Sequence, residues 1–173
     1  MRWQQLFADL EAQLEAAAAA DLETAVAEVT RAERAKISLA DRLRATQGEI
    51  DVVVRGGEHL SGHIADVSSE WVLLTVRDHQ VLIPFTAVVT AQGIAQSAQL
   101  ESSLSLRRLG LGSALRALSR DRVTVRWVAD GFATLGRIDV VGVDYVELRV
   151  GDELRPSSVL AATFAALRYV RSV

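Results

Sequence analysis

Between Trp3 and Val29 the apolar residues Trp3, Phe7, Leu10, Leu14, Leu22, Val26 and Val29 recur at three- and four-residue spacings, with Ala18 filling the gap after Leu14. That spacing lines one face of a helix. The run from Ala16 to Ala20 has the highest helix propensity available, and no glycine or proline interrupts the chain before Gly48. A helix of about 27 residues is about 40 Å long, more than a small β-domain covers. The leading part of the stripe, Trp3, Phe7, Leu10 and Leu14, is therefore expected to meet a protein partner or a second copy of the chain.

After Gly48 the period changes from 3.6 to 2. Ile50, Val52 and Val54 alternate with Asp51 and Arg55, Gly56-Gly57 makes a turn, and Trp71 to Val76 and Val81 to Ile83 form further β-rich runs. Gly62, inside the second run, marks a sharp bend. The series then returns: Gly57, Gly62, Ile64, Val67, Trp71, Val72 and Leu74 reappear 74 residues later as Gly131, Gly136, Ile138, Val141, Tyr145, Val146 and Leu148. This reads as an internal repeat. Past it the offset becomes 78, setting Val81, Leu82, Ala87 and Val89 opposite Val159, Leu160, Ala165 and Leu167, with four extra residues placed in the turn from Gly151 to Pro156. A short helical segment precedes each unit, Leu39 to Thr46 and Ser113 to Ser119, and the glutamine-, serine- and alanine-rich stretch from Gln92 to Ser105 reads as a linker.

A short helix, a strand of alternating valines, a glycine turn, a bent strand with a second glycine five residues on, and an aromatic residue opening the third strand together resemble the Sm-like fold. That family includes the Sm and Lsm proteins and the bacterial RNA chaperone Hfq. The whole chain, with its Trp3-Gln4-Gln5-Leu6-Phe7-Ala8-Asp9-Leu10-Glu11 start, also resembles a family of actinobacterial proteins. The resemblance implies an α+β fold: a long N-terminal amphipathic helix (1–38), a first Sm-like β-barrel (39–93), a linker and basic segment (94–112) and a second barrel (113–173), each barrel preceded by a short helix. It does not carry over the family's uridine pocket. Ser68 and Gly142 stand at the aspartate positions, Val72 and Val146 at the asparagine positions, and neither Ile83 to Ala87 nor Val159 to Thr163 contains an Arg-Gly pair. A valine cannot read a base edge by hydrogen bonding.

Composition narrows the function classes. The 173 residues are 50% hydrophobic and 24% charged, a globular balance, and carry a net charge of −3. Without cysteine there is no disulfide framework, thiolate metal site or cysteine nucleophile, which fits a reducing cytoplasm. No apolar run reaches the roughly 18 residues of a membrane span. Charge is segregated. Asp9, Glu11, Glu15, Asp21, Glu23 and Glu28 stand against Arg2 alone in the first thirty residues, whereas Arg107, Arg108, Arg116, Arg120, Arg122 and Arg126 cluster with Asp121 as the sole acid between them. Arginine favours phosphate through bidentate contacts, so this segment is the candidate surface for nucleic-acid backbone.

Catalytic chemistry finds little to stand on. His59 and His63 share a strand face but lie about 13 Å apart at about 3.3 Å per residue, too far for one zinc ion. Gly110-Leu111-Gly112 matches two glycines of the dinucleotide fingerprint without the strand that must precede it. Asp139, Asp144 and Glu147 alternate with apolar neighbours as solvent-facing strand residues do. No acid, base or nucleophile set assembles, and no cofactor or metal is expected. The expected function is a non-enzymatic, cytoplasmic interaction or scaffold protein. Its alternative is a nucleic-acid-associated regulatory factor using residues 107–126.

Overall fold

The structure, a computed structural model, describes residues 25–32, 34–99, 109–151 and 157–173. It divides into two compact units, Met1–Ser38 and Leu39–Val173. In the first, residues 25–32 and 34–35 are helical. The expected partner surface of Trp3, Phe7, Leu10 and Leu14 lies outside the described residues.

The second unit opens with helix α1 (Leu39–Arg44), followed by strands β1 (Glu49–Val54), β2 (His59–Val67), β3 (Trp71–Val76) and β4 (His79–Pro84). A single 3-10 turn, Phe85–Ala87, leads into β5 (Val88–Gln92). Helix α2 (Leu111–Arg120) precedes β6 (Thr124–Ala129), β7 (Phe132–Val141), β8 (Tyr145–Val150), β9 (Ser158–Thr163) and β10 (Leu167–Ser172). The alternation read from β1 places Ile50, Val52 and Val54 in the core at 1% exposure or less.

These strands do not form two closed barrels. They make one antiparallel sheet of ten strands in the order β5-β1-β2-β3-β4-β10-β6-β7-β8-β9. No ladder joins β4 to β5 or β9 to β10. The edge that each half would need for closure is taken up by the other half, because β4 pairs with β10 through Leu82↔Val170 and Val81↔Arg171. Pairing across the halves satisfies the open backbone groups of both edges at once. Every ladder is antiparallel, so Gly110-Leu111-Gly112 lies in no βαβ unit, and Gly110 is the N-cap of α2.

Both halves run in the same spatial order, 5-1-2-3-4 and 10-6-7-8-9. The ladder registers correct the offset expected for their later strands. Leu74 faces Val81 and Leu148 faces Leu160, so Val81 corresponds to Leu160 at an offset of 79, one more than the pattern of apolar residues suggested. A slip of one residue exchanges the two faces of a strand, and the register rather than residue similarity decides which is correct. Gly62 and Gly136 occupy matching places. A Cβ on Gly62 would sit 2.3 Å from Thr75 O, and one on Gly136 would sit 2.8 Å from Arg149 O, so at both places adjoining strands pass too close for any side chain.

The core is likewise shared. One apolar cluster takes Ile50, Val52, Val72, Leu74 and Ile83 from the first half together with Val128 and Tyr169 from the second. The other takes Leu115, Trp127, Ile138, Val146 and Leu148 from the second half together with Trp71 and Leu82 from the first. Polar bonds fasten the same junction. Arg55 Nη2 donates to Ala165 O and Leu167 O, both at 2.9 Å, and its Nη1 lies 3.1 Å from Asp130. Tyr169 donates to Glu58 at 2.6 Å beside the Arg168–Glu58 ion pair.

Candidate phosphate-binding groove

Helix α2 is anchored on the first half. Its Leu111 N–H donates to Glu70 Oε2 at 2.8 Å, and Leu109 O accepts from both Trp71 Nε1 and Ser68 Oγ. An acid at a helix start satisfies an otherwise unpaired N–H and opposes the positive end of the dipole. With Leu111 and Leu115 buried against the second core, the opposite face of the helix carries Arg116 and Arg120 into solvent. The chain leaves the helix through Arg122, whose φ of 53° is left-handed, a conformation costing a non-glycine residue about 1 kcal/mol.

These residues meet the bent strands of the second half. Arg120 and Arg122 line a hollow of about 470 Å³ with Ser119, Arg137, Ile138, Asp139 and Arg149. An adjoining hollow of about 390 Å³ continues past Ser119 and Arg120 to Arg116 and Ser113. On the other side of Arg137 and Arg149 a larger depression of about 750 Å³ is bordered by the hydroxyls of Thr124, Thr134, Ser157 and Ser158. The first two hollows share Ser119 and Arg120, and the first and third share Arg137 and Arg149, so the three adjoin along a groove bordered by five arginines, with Asp139 the single acid among the residues named.

Asp139 organises the centre. Arg149 Nε donates to it at 2.6 Å and Arg137 Nε at 3.3 Å. Burial works to raise the Asp139 pKa, but the bonds from Arg149 and then Arg137 outweigh it and hold the carboxyl below its ordinary range. One carboxylate thus stays ionised between two guanidinium groups and fixes their separation. Arg137 and Arg149 stand opposite each other in the β7–β8 ladder, which brings residues twelve apart in sequence into one place.

The segment expected to bind backbone is divided by this arrangement. Arg116, Arg120 and Arg122 line the groove. Arg126 does not: it faces Arg171 in the β6–β10 ladder, and its charge acts on Tyr169. Arg107 and Arg108 lie outside the described residues. Arg137 and Arg149 are not among the arginines expected from the sequence; the signal for them is one arginine in each strand of the β7–β8 hairpin, Arg137 within β7 and Arg149 near the end of β8.

The matching place in the first half has another chemistry. A depression of about 750 Å³ there is bordered by all three histidines, His59, His63 and His79, with Glu49, Arg77, Asp78 and Arg171. His79 is the first residue of β4. Hydrogen bonds from Ser61 and then His59 hold the Asp51 carboxyl below its ordinary range. Among the described residues no group of three or more histidine, aspartate or glutamate side chains is placed to hold a metal ion. No described helix is long and apolar enough to cross a membrane. Comparison with known proteins finds no matching family model, no matching curated protein and no matching solved structure.

Proposed function

We propose that the chain is a non-catalytic, cytoplasmic binding protein whose arginine groove takes the phosphate backbone of a nucleic acid. The observation that carries this reading is the convergence of Arg120, Arg122, Arg137 and Arg149 on one hollow with a single carboxylate. Guanidinium groups held in fixed orientation by a common aspartate suit bidentate contact with phosphate oxygens, and the hydroxyl-bearing Thr124 and Ser158 at the border add neutral donors. The groove offers no aromatic platform among its lining residues, so the contact is to backbone and carries little base preference.

Loss of base reading fits what stands at the positions that resemble the Sm family's uridine pocket. Ser68 is buried at 3% exposure with its hydroxyl committed to Leu109 O, and Val72 and Val146 are fully buried. None of these side chains is available to a base.

The test is binding of labelled mixed-sequence RNA and duplex DNA, followed by anisotropy over a range of salt. Affinity should fall steeply with salt, and the Arg137→Gln, Arg149→Gln double variant should reduce the logarithmic slope by about 2, one for each phosphate contact removed. Absence of binding to either probe at about 50 mM salt, where backbone contacts are least screened, would refute the reading.

A further inference from the structure

The first half carries a depression at the place where the second half carries its arginines. In the second half Thr124, Arg137 and Arg149 stand side by side across β6, β7 and β8. In the first half the same row is Glu49, His63 and Thr75 across β1, β2 and β3. Each row follows the glycine at which strands crowd, Gly136 in one half and Gly62 in the other, and each borders a depression of about 750 Å³. The rims correspond as well, because Val76 faces His79 as Val150 faces Ser158.

The exchanges between the halves change the chemistry in one direction. His63 stands where the second half has Arg137, and His79 where it has Ser158. Asp139, which grips the two arginines, falls at the register shift between Ile138 and Val140; at the matching shift between Ile64 and Asp66 the chain has Ala65. The first-half hollow thus has no counterpart of the carboxylate that holds the guanidinium groups. Its constant charges are Arg77 and Asp78 from the β3–β4 turn, Glu49 from β1, and Arg171, which β10 brings from the second half by pairing with β4.

Two arginines stand against two acids, so the three histidines alone set the net charge of the border. With neutral rings the formal charges cancel, and with protonated rings the border is strongly cationic. Histidine is the side chain whose charge ordinarily changes between pH 5 and 8. His59 has a partner on β1, its Nδ1 lying 3.0 Å from Asp51 Oδ2, while Ser61 donates to the other oxygen at 2.8 Å. Helix α1 also lies beside β2, but Arg44 bonds Asp41 and Arg42 bonds Ala95 O, and none of these borders the hollow. Opposite Arg171 in the β6–β10 ladder stands Arg126, a further positive charge.

We infer that this depression is a proton-dependent phosphate site, which takes a phosphate group when its histidines are protonated and releases it when they are neutral. Arg77 and Arg171 supply charge at any pH. His63 and His79 supply it only on protonation, when each ring also gains a second N–H donor. Proton uptake and phosphate binding are therefore linked: affinity is full below the range in which the rings titrate and is lost as pH rises through it. The site is separate from the arginine groove and does not depend on that groove's binding nucleic acid.

All three histidines of the chain border this hollow, so their ring C–H signals in proton NMR report on it directly. The full chain is titrated at about pH 5.5 and about pH 8, either side of the ordinary histidine range, with inorganic pyrophosphate and separately with a short RNA lacking terminal phosphates. The ring signals should move to saturation at the lower pH, with affinity at least about tenfold weaker at the higher, the worth of one charge-assisted hydrogen bond. Pyrophosphate gains negative charge over the same interval, so a weakening belongs to the protein. A response to pyrophosphate identifies a free phosphate as the ligand; a response to the RNA alone identifies backbone. His63→Arg, which places the second half's residue in the first, should hold the affinity at about pH 8 close to that at about pH 5.5. The His63→Gln, His79→Gln double variant should lose binding, read on His59, without a change in thermal unfolding. Rings that respond to neither probe at the lower pH would overturn the inference, as would equal affinity at both pH values. A pH dependence unchanged in His63→Arg would also overturn it, by assigning the effect to Glu49 or Asp78.

Discussion

Replacing Gly62 with alanine sets one methyl group against a backbone that has no way to turn aside. Its Cβ would lie 2.3 Å from Thr75 O, 3.0 Å from Thr75 C and 3.0 Å from Val76 Cγ2, where ordinary contact begins at 3.4 Å. Strands β2 and β3 must separate by about 1 Å at that point, a strain that a closely packed interior does not absorb freely. β3 is pinned on its other side by an unbroken ladder from Trp71↔Pro84 to Val76↔His79. Overpacking of this kind costs roughly 1–3 kcal/mol, and the reduced freedom of the unfolded chain returns about 0.4–1 kcal/mol, leaving a net loss of about 1–2 kcal/mol. For a chain of this size that lowers Tm by roughly 2–8 °C. The assay is thermal unfolding followed by circular dichroism and tryptophan fluorescence. Gly112→Ala in α2 is the control, because its nearest neighbour is the Arg116 guanidinium at 3.6 Å, an ordinary contact; there alanine should stabilise by about 0.5–1 kcal/mol. Gly136→Ala, with its closest approach at 2.8 Å, should fall between them. If Gly62→Ala unfolds no earlier than the native chain, the close approach of β2 and β3 is not what reserves this position for glycine.

Two further substitutions probe the joint between the halves. Burial, reinforced by the bond to Glu58, pushes the Tyr169 phenol up to about 12. A raised folded-state value favours the neutral phenol, so its stabilisation is complete below the unfolded value of 10 and is lost as pH climbs through about 12. Tyr169→Phe should cost about 1–2 kcal/mol near neutral pH by urea denaturation, and the gap from the native chain should narrow above pH 10; a gap independent of alkaline pH would remove Tyr169 as its source. Glu70→Ala deprives α2 of the acceptor for its first N–H and should lower stability by about 1 kcal/mol with little change in the sheet signal; an unchanged urea midpoint would mean that water replaces the carboxylate without loss.

Much of the local structure was legible because it depends on neighbours in sequence. The alternation of Ile50, Val52 and Val54 marks β1, the two glycines at 62 and 136 mark the places where strands crowd, and the run of arginines with Asp121 as its one acid marks α2 and its exit as basic. What required the folded chain is every feature made by residues far apart. Closure against cross-pairing turned on whether β4 met β5 or β10, and both options present similar edges, so apolar patterning gave no preference. The offset of 78 rather than 79 in the later strands arose because Val81, Leu82 and Val159, Leu160 look alike on either alignment; only the Leu148↔Leu160 pairing separates the two. Arg137 and Arg149 escaped notice for the same reason. Each is an ordinary surface arginine along its own strand, and only the β7–β8 ladder sets them together on Asp139, against the helix that supplies Arg120. Alternation and turn chemistry act over a few residues and can be read from a sequence. Register, edge pairing and the gathering of charge depend on which distant strands lie side by side, and that is decided by burying both halves' cores together.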